Sequence, residues 1–530
     1  MEDPTISKMM THLTRSKRLG FLAFFTLVLG AASAVLLSDA RPSRADDETV
    51  LTGQEPGQKY DPIQANGVYF EGWDTPQVAL VLSGLLNGYI EPCGCAGMDR
   101  MKGGLSRRHT LFAELAEKNW PVVAVDTGLI TNGFGIQEEL KFDMAVNAFR
   151  LMGYDAIGLS NNELRFPADV LLTYTVPANT HERSLFVSAN VGVYGFTDLY
   201  TLPFKTIEVN GLRFCVTSVV FPDPSIDRDD NIKVEDPAKR LGIVLPRIEK
   251  EECDHNILII HGTEDQAMEL AEQFPQFDII LSGDSPAEPP AEPKITSKGQ
   301  YLIEVGEKGK FLIVLGFYPD STAPRYQRLA LDSRFKRSED IHSLMIGYQG
   351  ILKEIITTRG YKGLGLGLID APEAAVQGGY VGSRKCQSCH EESYRTWTQN
   401  RHSRAWDSLS TVPPTADSAD PPRDFDPECI SCHVVGWQHR ENFPYKGGFV
   451  DIEKTQHLAN VGCESCHGPG SAHMAAEVGD DEQLQENLRA AMRLGDRAEK
   501  LCQSCHDENN SPNFEFEKYY KIIEHTDNPE

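Results

Sequence analysis

The chain carries little positive charge for its size. Its 530 residues include 51 Lys and Arg against 77 Asp and Glu, which gives a formal net charge of −26. Such a chain repels the phosphate backbone of DNA and RNA, so we expect no nucleic-acid partner. The acidity suits a basic redox partner, although it is also a general route to solubility.

Beyond the N-terminus, the sequence lacks a second apolar run of bilayer-spanning length, so its body is not expected to be an integral membrane protein. At the N-terminus, basic residues precede the apolar run 19–37, and small residues suited to cleavage follow. We interpret residues 1–45 as a signal peptide or an N-terminal membrane anchor. Either interpretation predicts a periplasmic or otherwise extracytoplasmic protein.

Cysteine is scarce outside one repeated pattern. Eight of the 12 cysteines form four copies of Cys-x-x-Cys-His. The cysteines are Cys386, Cys389, Cys429, Cys432, Cys463, Cys466, Cys502 and Cys505, and the histidines that follow are His390, His433, His467 and His506. Two thiols at this spacing can each bond one haem vinyl group, and the adjacent His then lies under the iron. Zinc sites or disulfides are the alternative, but neither requires a His after the second Cys each time. The pattern predicts four covalently bound haem c groups.

Strands and helices are predicted to alternate in residues 76–320. The predicted strands are 78–82, 121–125, 156–159, 257–260 and 279–281, and the predicted helices are 105–118, 140–152, 237–250 and 264–274. This order indicates a layered α/β domain with a substantially parallel sheet. Two further pairs of apolar runs, 204–209 with 214–220 and 301–305 with 311–317, predict antiparallel hairpins.

The other segments complete a multidomain chain. Residues 46–75 are polar and rich in Gly, Pro and Asp, as in a linker, and residues 321–379 combine a helix over 338–358 with a Gly-rich connector. Apolar patterning thins out over 380–530, which we predict to be a mostly α and irregular tetrahaem cytochrome c domain. So short a segment cannot build a large side-chain core, so the porphyrins would serve as its core.

The sixth ligand of each iron decides between an electron carrier and a catalyst. Two strong axial ligands close an iron, whereas an open face admits a small molecule. The histidines outside the motifs in this region are His402, His439, His457, His473 and His525. Five candidates for four positions favour mostly bis-histidine ligation, although each could instead be solvated or bound to a propionate.

Residues 380–530 resemble the cytochrome c-554 family of multihaem cytochromes. The resemblance is carried by Trp397-Thr-Gln-Asn-Arg-His402-Ser-Arg-Ala405, by the segment 461–473 around the third motif, and by Tyr520-Lys-Ile-Ile-Glu-His525. It implies that His402, His473 and His525 are distal ligands and extends to His457, while His439 stays unassigned. It also implies haems that relay electrons, one of which can lack a distal side chain.

Residues 78–318 resemble the metallophosphoesterase superfamily, in particular 5′-nucleotidase-like enzymes. The resembling segments are 83–88, 103–108, 125–129, 158–163, 260–262 and 282–285. The resemblance implies phosphate-ester hydrolysis by two metal ions held by carboxylates, histidines and one asparagine.

The ligand positions of that superfamily are mostly altered here. Asn161 and His261 match family ligands, but the bridging aspartate is replaced by Leu129. The other altered positions are Leu85, Leu86, Asn87, Asn162, Asp284 and Pro286. Because leucine cannot coordinate a hard cation, we predict a scaffold without phosphatase activity.

Four cysteines lie outside the haem motifs. Cys93 and Cys95 form a Cys-Gly-Cys loop, which is either a local disulfide or part of a metal or redox site with His261. Cys253 could pair with Cys215, but spacing alone does not establish this.

Three functions follow from these expectations. The first is an exported tetrahaem cytochrome that passes electrons between redox partner proteins and carries an inactive phosphoesterase-like domain. The second is an oxidoreductase that acts on a small nitrogen or oxygen compound at an open haem. The third is a metal-dependent hydrolase with accessory haems.

Overall fold

The computed structural model describes residues 60–94, 97–133, 135–176, 184–196, 200–372, 378–410 and 422–525. The export segment predicted over residues 1–45 lies outside these ranges, as do residues 46–59 of the predicted linker. No helix within these ranges is both long and apolar enough to cross a membrane.

Two six-stranded sheets form the centre of the α/β region. In chain order, the described strands are β1 Val78–Ser83, β2 Val122–Asp126, β3 Ala156–Gly158, β4 Phe186–Val187, β5 Val191–Val193, β6 Lys205–Val209, β7 Leu212–Val220, β8 Ile232–Val234, β9 His255–His261, β10 Ile279–Ser282, β11 Lys294–Ile295, β12 Tyr301–Ile303, β13 Phe311–Phe317, β14 Arg325–Ala330, β15 Trp437–Gln438 and β16 Phe443–Pro444. The first sheet has the order β14-β13-β1-β2-β3-β4, and the second has the order β11-β12-β10-β9-β7-β6.

Each sheet contains four neighbouring parallel strands. In the first sheet these are β1 to β4, and in the second they are β12, β10, β9 and β7. Strands β13 and β14 of the first sheet, and β11 and β6 of the second, pair antiparallel with their neighbours, whereas β4 ends the first sheet as a parallel edge strand. The predicted layered α/β domain with a substantially parallel sheet is therefore confirmed.

Helices cover the outer faces of both sheets. Those of the α/β region are α1 Pro62–Asn66, α2 Leu105–Glu117, α3 Ile136–Met152, α4 Ala168–Thr175, α5 Pro237–Ile248, α6 Glu264–Gln273 and α7 Glu339–Arg359. Strand β1 shows how the layers arise, because its side chains alternate between two cores. Leu80 and Leu82 pack between the sheets, whereas Ala79 and Val81 pack beneath helix α2. The result is a helix–sheet–sheet–helix arrangement.

One of the two predicted hairpins is correct. Strands β6 and β7 pair antiparallel as expected, but β12 and β13 do not pair at all, so the prediction for 301–305 with 311–317 is wrong. Both runs are buried, so their apolar pattern does not reveal which sheet each one joins. Between them the chain crosses from the second sheet to the first through Gly306 and Gly309, which have φ of 77° and 55°.

Structure of the α/β region continues past residue 320. Strand β14 pairs along β13 in the first sheet. Helix α7 then packs against the same outer core as α3, through Ile341, Met345 and Leu352. Helix α3 begins at Ile136, four residues before the predicted start, and Glu138 and Glu139 lie in its first turn, where acidic groups favour the helix dipole.

The C-terminal region consists of short helices and irregular chain. Its helices are α8 Glu391–Thr398, α9 Asp407–Ser410, α10 Pro427–Ile430, α11 Ile452–Thr455, α12 Cys463–His467, α13 Ser471–Glu477, α14 Glu482–Met492, α15 Ala498–Cys502 and α16 Phe516–Ile523. One small apolar cluster lies within the described part of this region, around Trp437 and Ile430. Helices α14 and α16 bury no residue against the rest of the protein. The predicted α and irregular architecture is confirmed.

Candidate haem centre

Each Cys-x-x-Cys-His motif coincides with a short helical turn. In the first and fourth motifs, the His N–H donates to the carbonyl of the first Cys, over 2.9 Å for His390 with Cys386 and for His506 with Cys502. A turn of this kind keeps the first thiol and the imidazole on one side of the backbone. The spacing of the motif therefore gives the local geometry that attachment of haem requires.

Three motif imidazoles face a second imidazole from elsewhere in the chain. The ring centres are 6.2 Å apart for His390 and His473, 6.0 Å for His506 and His402, and 5.9 Å for His467 and His525. Two imidazoles that share one metal through bonds of about 2 Å have ring centres about 6 Å apart. Each pair therefore fits an iron held between the two rings.

Hydrogen bonds to the chain fix the tautomer of several of these rings. The Nδ1 atoms of His433, His467 and His525 lie 2.8, 2.7 and 2.8 Å from the carbonyl oxygens of Ala405, Met492 and Ile523 respectively. The Nδ1 of His506 lies 2.9 Å from the Ser511 hydroxyl. When Nδ1–H donates in this way, the lone pair of Nε2 is left to ligate a metal.

Burial favours the neutral form of His402, His433, His467 and His506 by lowering their pKa. It lowers the pKa of His402 to about 4, with smaller contributions from the neighbouring His506 and His433. Burial also lowers the pKa of His433, His467 and His506 below the usual range. A neutral imidazole is the form that binds metal, so the electrostatics agree with the ligand geometry.

The second motif differs from the other three. Among the described residues, no imidazole faces His433 at the spacing of the three pairs. His439 donates from Nδ1 to the Ser431 carbonyl at 2.6 Å and lies with the Cys432 and Cys505 sulfurs, within 4.8 Å of both. His457 is exposed on the turn Gln456–Leu458, and no motif imidazole faces it.

The sulfurs of different motifs lie next to one another. The Cys386 sulfur lies beside that of Cys463, and the Cys432 sulfur lies beside that of Cys505. The Cys466 thiol is also close enough to Cys502 for their charges to interact. The motifs therefore adjoin in the order first, third, fourth, second, which their order in the sequence does not reveal.

In the α/β region, Asp126 and the two predicted ligand positions, Asn161 and His261, bind groups of the protein itself. Buried Asp126 accepts from Ser83 Oγ at 2.5 Å and from Gly128 N at 2.8 Å, and it forms an ion pair with buried Arg108 at 3.3 Å. Asn161 donates to the Phe221 carbonyl at 2.8 Å. Each of these side chains is therefore bonded to other groups of the protein.

His261 is also engaged by the backbone. Its Nε2 lies 2.5 Å from the Thr127 carbonyl, and burial lowers its pKa, so the neutral ring donates this bond. Leu129, which occupies the bridging position of the superfamily, adopts a left-handed backbone with φ of 56°. Leucine rarely adopts this conformation, and the loop is held by Glu163, which accepts from Ile130 N at 2.7 Å. The described residues of this edge contain no cluster of three metal-ligating side chains.

The cysteines outside the motifs behave differently from one another. Cys215 and Cys253 form a disulfide, which confirms the pairing that spacing had left open. Cys93 is exposed and lies close enough to Tyr89 and Cys429 for their charges to interact, while Cys95 lies outside the described residues. A metal or redox site at Cys93 and Cys95 therefore stays a prediction.

Comparison with known proteins finds a family and a relative similar to part of the C-terminal region. The family described as cytochrome c554 and c-prime matches residues 385–468, a range that contains the first three motifs. Cytochrome c-554 of Nitrosomonas europaea is 36% identical over 109 residues, which cover 19% of this chain and 44% of that protein. The match thus spans less than half the length of this relative.

Solved structures similar to the chain come from the group that the α/β motifs resemble. A 5′-nucleotidase precursor from Thermus thermophilus is 17% identical, with 53% of this chain and 59% of that chain covered and a TM-score of 0.44. The calcineurin-like phosphoesterase YfkN from Bacillus subtilis is 17% identical, with 53% and 98% covered and a TM-score of 0.42. Over residues 385–468, this chain is similar to the cytochrome c554 and c-prime family.

Proposed function

We propose that this protein is an exported tetrahaem c-type cytochrome that carries electrons. Haem c would be attached at all four motifs, with the pairs His390–His473, His467–His525 and His506–His402 as axial ligands. The observation that carries this proposal is the spacing of the three ring pairs, at 5.9 to 6.2 Å. Haem c supplies one-electron chemistry at its iron, and the protein sets its ligands and burial.

The contacts between motifs support a relay. Sulfurs of the first and third motifs, and of the second and fourth, lie beside each other, and the third and fourth motifs adjoin. Electrons entering at one end of this series would therefore have a path to the other end. Redox partner proteins would dock at the two ends, and the net charge of −26 favours basic partners.

The second motif supports a second candidate function. His433 holds its Nδ1 on the Ala405 carbonyl at 2.8 Å, and no imidazole in the described chain opposes it. An iron ligated by His433 alone would keep an open face, which is what binding of a small nitrogen or oxygen compound requires. Oxidoreductase activity at this position is the alternative to pure electron transfer.

The α/β domain, residues 76–320 with the connector 321–379, is proposed to be a scaffold without hydrolytic activity. Asp126 is paired with Arg108, and His261 and Asn161 bind backbone carbonyls. A two-metal mechanism needs carboxylates and histidines directed at the ions, and here these groups are already bonded within the protein. The disulfide Cys215–Cys253 supports an oxidising, extracytoplasmic location.

Two measurements on the full chain test this proposal. Intact mass spectrometry is expected to show four added groups of about 616 Da each, and no added mass would overturn the haem assignment. Carbon monoxide added to the reduced protein is expected to change the spectrum of one haem in four. No change would favour the pure carrier, since four closed irons do not bind the gas.

The hydrolase alternative is tested separately. Metal analysis of the full chain is expected to find iron and no second metal in stoichiometric amount. A phosphate-ester assay with added Mn²⁺ or Zn²⁺ is expected to show no turnover. Stoichiometric manganese or zinc with turnover would contradict the scaffold assignment.

A further inference from the structure

The segment that precedes the second haem motif packs against the α/β region. Phe425 is 8% exposed and belongs to the apolar cluster formed by helices α3 and α7. The Lys353 ammonium of α7 lies 5.5 Å from the centre of its ring, within range of a cation–π interaction. The chain therefore enters the second motif from a fixed point on the α/β region.

Asp426, three residues before the first cysteine of the motif, is held by buried hydrogen bonds. Asp426 is 2% exposed, and its two carboxylate oxygens accept from Gln137 Nε2 at 3.1 Å and from Gln349 Nε2 at 2.8 Å. A buried carboxylate without such donors is costly, so these two amides determine where Asp426 lies. One amide comes from α3 and the other from α7.

A buried lysine makes the second attachment. Lys141 of α3 has a side chain that is 3% exposed, and it pairs with Glu138 at 3.3 Å and with Glu428 of the haem region. Burial alone would lower the pKa of Lys141, but the two carboxylates outweigh it and raise that pKa, so the lysine stays charged. A buried charge of this kind requires its partners.

These attachments connect to the iron ligand through successive backbone hydrogen bonds. The Asp426 carbonyl accepts from Cys429 N at 3.0 Å and from Ile430 N at 2.9 Å, and the Ile430 carbonyl accepts from His433 N at 2.9 Å. Asp426 thus caps the short helix that carries Cys429, and the turn that carries His433 follows this helix directly. Displacement of Asp426 would displace this turn.

The fourth motif provides a contrast. Its contacts with the α/β region include Lys310 with Glu508 at 3.8 Å, where the Glu508 side chain is 76% exposed, and Arg100 with Asn513 at 3.0 Å. Exposed ion pairs contribute little. Attachment through a buried carboxylate, Asp426, and a buried ammonium, Lys141, belongs to the second motif.

We propose that the α/β domain is a clamp for the second haem motif, with Gln137, Lys141 and Gln349 as positioning residues for His433. This inference rests on the proposed attachment of haem at that motif. The clamp would hold His433 and its turn in place, so that the open face of the iron is preserved and no other side chain moves in to close it. It gives the retained scaffold a role in the redox function of the other region.

Hydrogen–deuterium exchange of the full haem-loaded protein tests the clamp. In Gln349→Leu and Lys141→Met, backbone amides of residues 426–434 are expected to exchange about tenfold faster or more. Amides of the first motif should be unchanged in both variants. Glu508→Gln is the matched control, since it removes an ion pair between the same two regions and should leave residues 426–434 unchanged. Exchange within twofold of the parent protein in both clamp variants would overturn the inference.

Electron paramagnetic resonance separates this outcome from failure of the proposed function. The parent protein tests whether haem and an open iron exist, by its iron content and one high-spin signal. The clamp variants are expected to retain four haems and three low-spin signals while the high-spin signal shifts or loses at least about half its intensity. Lys141→Arg keeps the charge and should restore the parent signal. A parent protein with four low-spin haems would contradict the open iron, whereas unaltered exchange would contradict the clamp.

Discussion

The α/β region and the haem region bury different things. In the first, two sheets and their helices enclose many side chains with no exposed surface, such as Leu80 and Phe142. The described part of the second has several short helices but one small apolar cluster, around Trp437. Its helices α14 and α16 have no buried residue. Helices of 8 to 11 residues are marginal without packing. Under the proposed function, the haems would be the packing partners that these helices lack.

The same contrast holds for residues that could ligate a metal. In the α/β region, Asp126, Asn161 and His261 are bonded to groups of the protein. In the haem region, imidazoles from distant parts of the chain meet in pairs whose spacing suits an iron. Residue type alone therefore does not reveal a site. What distinguishes a site is whether the ligand atoms remain available.

The largest effect is expected from loss of the cofactor. When the chain is produced without haem attachment, the region from 378 to 525 is expected to be digested by protease at least about ten times faster than in the holoprotein. The α/β region should survive, because its core consists of its own side chains. Limited proteolysis with mass spectrometry measures both regions in one experiment. Equal resistance of the haem region with and without haem would contradict the comparison.

Loss of a single distal ligand should have the next largest effect. His402→Ala, His473→Ala and His525→Ala are each expected to convert one low-spin haem to high spin, because each removes one axial imidazole. Electron paramagnetic resonance counts the conversion. His457→Ala and His439→Ala are the matched controls, since neither ring faces a motif imidazole, and both should retain the parent spectrum. A new high-spin haem in His457→Ala alone would redirect the assignment to that residue.

Removal of the disulfide should affect the opposite region. The double variant Cys215→Ser with Cys253→Ser is expected to destabilise the α/β region by roughly 2–4 kcal/mol, because the bond closes a loop of 38 residues. Thermal unfolding monitored in the far ultraviolet measures this change. The haem absorption spectrum at room temperature should be unaltered. A change in haem spin state in this variant would show that the disulfide acts on the haem region.

The smallest effect is expected at the former metal site. His261→Leu is expected to cost about 1–2 kcal/mol, since it leaves the buried Thr127 carbonyl without a donor. Denaturant unfolding measures the cost, and metal analysis accompanies it. The bound metal content should be the same as in the parent protein. Loss of a second metal upon this substitution would mean that His261 is a ligand.

Local patterns predicted the regular elements well. The alternation of apolar residues located β1, and the motif spacing predicted the proximal histidines. Resemblance to the cytochrome c-554 family predicted His402, His473 and His525 as distal ligands, and each of these rings lies about 6 Å from a motif imidazole, a placement that spacing could not have selected from five candidates. The sequence could not predict that β12 and β13 belong to different sheets. Both strands are buried, and a buried strand has the same continuous apolar pattern in either sheet.

The contacts between the α/β region and the haem region could not be predicted from the sequence either. Gln137 and Asp426 are separated by 289 residues, and no local periodicity connects them. One signal was available: Lys141 lies between Leu140 and Phe142 on an otherwise core-facing helix, where a charge implies a partner. The carbonyls that fix the imidazoles, such as those of Ala405 and Met492, are backbone atoms and leave no trace in the sequence.

The central claim is that three motif imidazoles share an iron with a distant imidazole while His433 does not. Quantitative electron paramagnetic resonance of the fully oxidised holoprotein tests it most directly, because the signals report axial ligation of every iron. The account predicts low-spin and high-spin haem in a ratio of three to one. Four low-spin haems, or high-spin haem in the majority, would contradict it.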